Sequence, residues 1–220
     1  MHGISFEQVQ KSMANLSWSD KPYFPISNVY REIFGSKVIK VPVSIAESCP
    51  NRMGLKGMKT CIFCDQWGSF AYPENRENEL SEQILKHRQT ARDRHNASKF
   101  LIYFQAYTTT FTGLDKLKRA FDLALTYGDV VGIVVGTRPD CLSPAVLRTW
   151  QEYSQKTVLS VEYGVQSFSE ESLLWMRRGH TSKVAIDAIR KTAEAGIDTG
   201  LHLMFGWPGE TTENIIQAAR

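Results

Sequence analysis

Five short apolar runs punctuate the chain from residue 38 onward: Val38–Ile45, Phe100–Phe104, Val130–Val135, Val158–Val161 and Leu201–Phe205. Runs this short and this continuously apolar are the pattern of strands buried on both faces of a parallel sheet. Between them the apolar positions change to helical spacing. Leu114, Leu117, Phe121, Ala124 and Leu125 share a face, and Gly128 follows as a stop. Ser143-Pro144 reads as the N-cap and first-turn proline of a helix that turns Val146, Leu147, Trp150 and Tyr153 inward. Thr181 caps another helix carrying Val184, Ala185, Ala188, Ile189 and Thr192, which Gly196 can end.

Repeated strand–helix units with short links predict right-handed crossovers and a parallel α/β sheet, open or barrel-like. Residues 1–37 break the rhythm and read as an N-terminal extension or cap with one short helix near Ile26–Phe34. A helix after Gly209-Glu210-Thr211 is still running at Arg220, and a strand is expected to follow such a helix. Residues 38–220 therefore read as one core that breaks off after its fifth strand.

Composition adds bounds rather than a function. With 220 residues, 42% apolar and 22% charged, the chain has the makeup of an ordinary soluble domain with a sizeable core. No apolar run approaches the roughly 18 residues needed to span a bilayer. Met1–Glu7 carries no charged stretch followed by an apolar one, so no signal peptide and no membrane partner are expected, and the default location is cytoplasmic. The net charge of +3 permits an anionic partner without demanding one.

The chemistry concentrates in the cysteines. Cys49, Cys61 and Cys64 sit on one loop after the first strand, spaced C-x11-C-x2-C, and Cys141 stands apart. Three thiolates can ligate three irons of a four-iron cluster and leave the fourth iron an open position for chemistry. Gly54, Gly57, Arg52, Lys56 and Lys59 suit a tight loop around an anionic cluster. On the loop alone other readings stay open. A zinc site wants a fourth ligand, which neither Cys141 nor any histidine supplies at a usual spacing. A thioredoxin-type pair leaves Cys49 unexplained. The cysteines can also be plain buried hydrophobes.

The loop, with its Cys49-Pro50-Asn51-Arg52 start, resembles that of the radical S-adenosylmethionine (SAM) superfamily, and within it the YhcC-like group related to the Elongator catalytic subunit. The resemblance runs from about Lys40 to Glu210 through five segments in the expected order. It implies a partial (β/α)6 TIM-like barrel of parallel strands, a [4Fe-4S] cluster on Cys49, Cys61 and Cys64, and SAM bound at the C-terminal ends of the strands. Met53 and Trp207 depart from the pattern, where an aspartate and a leucine are expected.

Site roles follow from the resemblance residue by residue. Phe63, between the two close cysteines, is expected to pack near the SAM adenine. Thr108, in Phe104–Thr110, is expected near the methionine amino end. Arg138 and Asp140 of Gly136–Asp140 are placed to face the cavity, although Asp140 also suits a turn. Gln166, in Glu162-Tyr163-Gly164-Val165-Gln166-Ser167, is assigned the ribose, and an amide can both donate to and accept from a diol. Glu162 is a carboxylate in a strand and needs a partner, either in the cavity or in a salt bridge. Arg178 is assigned the SAM carboxylate, which a guanidinium fork suits, while Arg177 reads as solvent-facing. His180 reads as a loop residue near a helix start. His202, before Gly206-Trp207-Pro208-Gly209-Glu210, is a ribose contact or a satisfied core histidine.

The function implied is reductive cleavage of SAM to a 5′-deoxyadenosyl radical for hydrogen abstraction, with an electron donor such as flavodoxin or ferredoxin. The Elongator kinship suggests RNA, such as a tRNA base, as substrate. Basic clusters at Lys86–Arg94, Lys116–Arg119 and Arg177-Arg178 are compatible with RNA, and equally with solvated helix faces. The competing classes are a non-catalytic iron–sulfur or zinc binding module and a nucleic-acid-binding scaffold with a structural metal.

Overall fold

A computed structural model describes residues 23–219. The expected extension 1–37 lies partly outside the described residues. Its described part forms α1 (Ile26–Phe34), closed by Gly35 in the left-handed region. Five parallel strands follow: β1 (Val38–Val43), β2 (Lys99–Phe104), β3 (Val130–Thr137), β4 (Val158–Gln166) and β5 (Asp198–Leu203), paired in sequence order. Helices connect them: α2 (Leu80–His95), α3 (Leu114–Leu125), α4 (Pro144–Ser154), then α5 (Glu170–Trp175) with α6 (Ser182–Glu194), and α7 (Thr212–Ala219) after β5. The sheet is open, and the architecture is the expected partial barrel.

The helices cover the outer face of the sheet. Val41, Ile102, Phe104, Ile133, Val161 and Tyr163 from the strands pack with Ile84, Leu117, Phe121, Trp150 and Ala185 in one buried cluster. Each large apolar side chain fully buried there contributes roughly 1.5–3 kcal/mol. Ser143 and Thr181 cap α4 and α6 as expected, accepting from the backbone N–H of Val146 and Val184. On the inner face α1 forms an apolar base: Phe34 packs with Val38, Leu101 and Val134, and Tyr30, Tyr103 and Val158 border them.

Strand limits differ from the apolar runs at several ends. β4 extends to Gln166 and β3 to Thr137, because their C-terminal halves alternate buried residues with polar or small ones that look inward. Continuous apolar runs detect only strand segments with two dry faces. At β1 the ladder stops at Val43, where Ser44 turns its backbone to the Gln83 side chain instead. β5 begins at Asp198, in register with Ser160, and ends at Leu203 rather than Phe205.

Candidate cofactor site

The loop after β1 is folded by backbone bonds from Met53 to Cys49 and from Cys64 to Cys61. Gly54 and Gly57 adopt positive φ, as the tight turn requires. Cys49, Cys61 and Cys64 all line one cavity at the C-terminal ends of the strands, and Cys141 does not. Two of the sulfurs receive N–H donors. Arg52 Nη2 lies 3.2 Å from Cys64 Sγ, while Asn51 Nδ2 and Arg178 Nη1 lie 3.4 and 3.3 Å from Cys61 Sγ. Burial pushes the Cys64 thiol up, and Arg52 pulls it the other way. Among the described residues no group of three or more His, Cys, Asp or Glu side chains converges tightly enough for one metal ion. Three thiols on one cavity, two of them already met by amide or guanidinium N–H donors, are a donor set that fits three irons of an anionic four-iron cluster.

The β4–α6 connection closes the cavity from behind. Gly179 packs so tightly on the cysteine loop that a Cβ there would meet Met58 Sδ at 2.4 Å and Asn51 Oδ1 at 3.1 Å. Asn51, 2% exposed, also donates to Lys59 O and Arg177 O, tying that connection to the loop. Arg178 is buried. It donates to Gly164 O as well as to Cys61, its guanidinium sits 5.7 Å from the Phe63 ring, and its Nε has no partner. Burial, then the neighbouring Arg138, lowers its pKa from the usual arginine value. Thr108 is fully buried on the cavity wall with its hydroxyl unpartnered. Gln166 lines the same cavity from a strained φ of +72° at a break in the β4–β5 register. Phe63 leans on Trp207 at 6.1 Å between centroids.

Deeper on the inner face lies a polar layer. Glu162 pairs with Lys40 and accepts from His202 Nε2 at 2.9 Å, and Tyr103 Oη approaches the same imidazole at 3.5 Å. Burial would raise the Glu162 carboxyl, but the His202 hydrogen bond and the Lys40 ammonium outweigh it and hold the group down at about 2. Tyr103, Glu162 and His202 all face the cavity that the cysteines rim.

The stretch that builds this cavity is matched by a family model: that of the Radical SAM superfamily fits residues 43–220. The chain belongs to the radical SAM superfamily. It is 32% identical over 202 residues to YtqA of Bacillus subtilis (strain 168), covering 92% of this chain and 63% of that protein. It is 35% identical over 185 residues to YhcC of Escherichia coli (strain K12), covering 84% and 59%. The chain thus spans about three-fifths of the length of these curated relatives. The solved structure of archaeal Methanocaldococcus infernus Elp3 with an N-terminal deletion superposes with a TM-score of 0.58 at 20% identity, over 83% of this chain and 41% of that one. It shares the fold. The cofactors that go with the superfamily are a [4Fe-4S] cluster and SAM.

Within this radical SAM core, the cavity gathers Cys49, Cys61, Cys64, Phe63, Thr108, Glu162, Gln166, Arg178 and His202. Glu162 takes both expected options at once, facing the cavity and forming a salt bridge. His202 is half exposed, so it is not a core histidine. Of the third-strand pair only Arg138 lines the cavity; Asp140 takes its other expected place, in the short turn Pro139–Cys141, and grips Arg138 through two bonds of 2.8 Å. His180 is a loop residue as read but a buried one, and burial with the Arg178 and Arg138 cations lowers its pKa to about 4. Asn51, Tyr103 and Lys40 were missed. Lys40 had a signal, since it is the lone charge in an otherwise apolar strand. The basic clusters are largely committed within the fold: Arg88 and Arg92 to Asp129, Lys116 to Glu47, and Lys118 to Glu152. No helix among the described residues is long and apolar enough to cross a membrane.

Proposed function

We propose that this radical SAM core is catalytic, with Cys49, Cys61 and Cys64 holding three irons of a [4Fe-4S] cluster and SAM occupying the adjoining cavity. The observation that carries this reading is the meeting of three thiols with Thr108, Gln166 and Arg178 on one cavity at the strand ends. The chemistry that such a cofactor pair supplies when bound is one-electron cleavage of the sulfonium, giving a 5′-deoxyadenosyl radical for hydrogen abstraction. The chain's own residues bind and orient. Arg178, with a buried Nε lacking a protein partner, receives the SAM carboxylate. Thr108 offers an unpartnered hydroxyl to the methionine end, and Gln166 offers its amide to the ribose. Phe63, backed by Trp207, gives the adenine an apolar wall. Glu162 and His202 line the same space, next to the ribose or the substrate. The reductant is a small electron carrier of flavodoxin or ferredoxin type. The described part of the N-terminal extension acts as a cap through α1, whose Phe34 packs on the inner face of the sheet. RNA as substrate is supported by kinship with the Elongator group rather than by the charged surface.

The test is anaerobic reconstitution of the full-length protein followed by reduction with SAM present. The expected product is 5′-deoxyadenosine, abolished in Cys49→Ala, Cys61→Ala and Cys64→Ala. Stoichiometric zinc with no SAM cleavage supports the binding-module alternative and overturns the proposal.

A further inference from the structure

Arg52 and Tyr107 form a device beside the cysteines that the cofactor roles leave unused. Arg52 donates from Nη2 to Cys64 Sγ at 3.2 Å and to Asp65 O, while its Cζ lies 5.2 Å from the Tyr107 ring centroid. The Arg76 guanidinium lies 5.2 Å from the same ring. Two mutually repelling cations therefore share one aromatic ring, whose negative faces favour both.

Tyr107 is pinned from several directions. Its hydroxyl donates to Gln66 O at 2.9 Å and its backbone N–H to Gly68 O at 3.2 Å. The ring packs directly on Gly68, where a Cβ would come within 2.5 Å of it. Ala106 and Tyr107 hold this position at φ +89° and +50°. Non-glycine residues in such conformations cost on the order of 1–3 kcal/mol each and persist only where the surroundings over-determine them. Besides Gly68 and Gln66, the ring so placed meets the two arginines.

We propose that Arg52, clamped by the Tyr107 ring, sets the reduction potential of the cluster through the thiolate of Cys64, as a positioning residue rather than a catalytic one. This rests on the cluster assignment above. One-electron reduction adds negative charge to the cluster. A charge-assisted N–H···S bond at a ligating thiolate stabilises that reduced form and raises the potential. Arg178 makes a similar bond at Cys61 but is assigned to SAM, whereas Arg52 contacts Cys64, Asp65 and Tyr107. A lysine keeps the charge at Arg52 and loses the planar stack.

The experiment is an EPR-monitored redox titration of the reconstituted full-length protein and its Arg52→Gln, Arg52→Lys and Tyr107→Leu variants, without SAM. All four proteins are expected to hold the same iron and sulfide. Arg52→Gln is expected to disfavour reduction about tenfold, a fall of about 59 mV for one electron. Arg52→Lys and Tyr107→Leu are expected to fall between. An unchanged potential in Arg52→Gln with its cluster intact overturns the proposal. So does loss of the cluster in Arg52→Gln while the wild type loads, which marks Arg52 as structural. A wild type that takes up no four-iron cluster is a different failure, that of the cysteine assignment beneath it.

Discussion

A carboxylate inside a barrel must be held by something, and Glu162 is held by Lys40 and His202. Its folded pKa of about 2 lies below the ordinary 4.5, so the folded protein binds this proton more weakly than the unfolded chain does. The stabilisation is therefore complete above about pH 4.5 and is lost as pH falls toward 2. Discounted for the solvent around Lys40 and His202, it amounts to roughly 1–3 kcal/mol. Urea unfolding of wild type and Glu162→Gln measures it. The stability gap is expected to be widest near pH 7 and to shrink by about pH 3; a gap that ignores pH refutes the charge-based account. At this scale the meeting of the cysteines, Gln166 and Arg178 on one cavity was legible through the resemblance of their segments to the radical SAM pattern. Asn51 was not, since its role depends on Lys59, Cys61 and Arg177 meeting across a fold that no local pattern displays.

Elements with apolar inner faces were legible, and α2 was not. Leu80–His95 buries Gln83, His87 and Arg88 beside Ile84 and Ala91, so no apolar stripe announces it. Its inner face bonds instead of merely packing. Gln83 caps the end of β1, accepting from Ser44 N–H at 2.8 Å and donating to Ser44 O at 3.1 Å and Asn78 O at 2.9 Å. His87 Nδ1 reaches Pro42 O at 2.7 Å, its ring stacked on Tyr72 at 4.0 Å. Helix propensity and hydrophobicity both favour Gln83→Leu. The structure predicts the opposite sign, because the change strands buried backbone groups of Ser44, at a cost of about 2 kcal/mol or more. Denaturant unfolding that finds the leucine variant as stable as wild type contradicts this account of α2. The strand ends carry the same lesson, since β4 runs past its apolar segment precisely where the cavity needs polar groups — a small overrun that holds Glu162 and Gln166.

For the whole molecule, parallel strands in simple order put every β–α turn at one end, so residues far apart in sequence converge on a single cavity. At the other end of the inner face Phe34 of α1 packs on Val38, Leu101 and Val134. This convergence was legible from strand–helix rhythm plus the order of the five segments; the depth at which Lys40, Tyr103 and His202 meet was not, because it depends on strand register. The most direct measurement is the EPR spectrum of the reduced, reconstituted full-length protein before and after SAM is added, with iron and sulfide determined on the same sample. The account predicts iron and sulfide in the ratio of a four-iron cluster and a spectrum that changes when SAM reaches the open iron. Iron absent from the reconstituted protein, or a cluster signal indifferent to SAM, contradicts it.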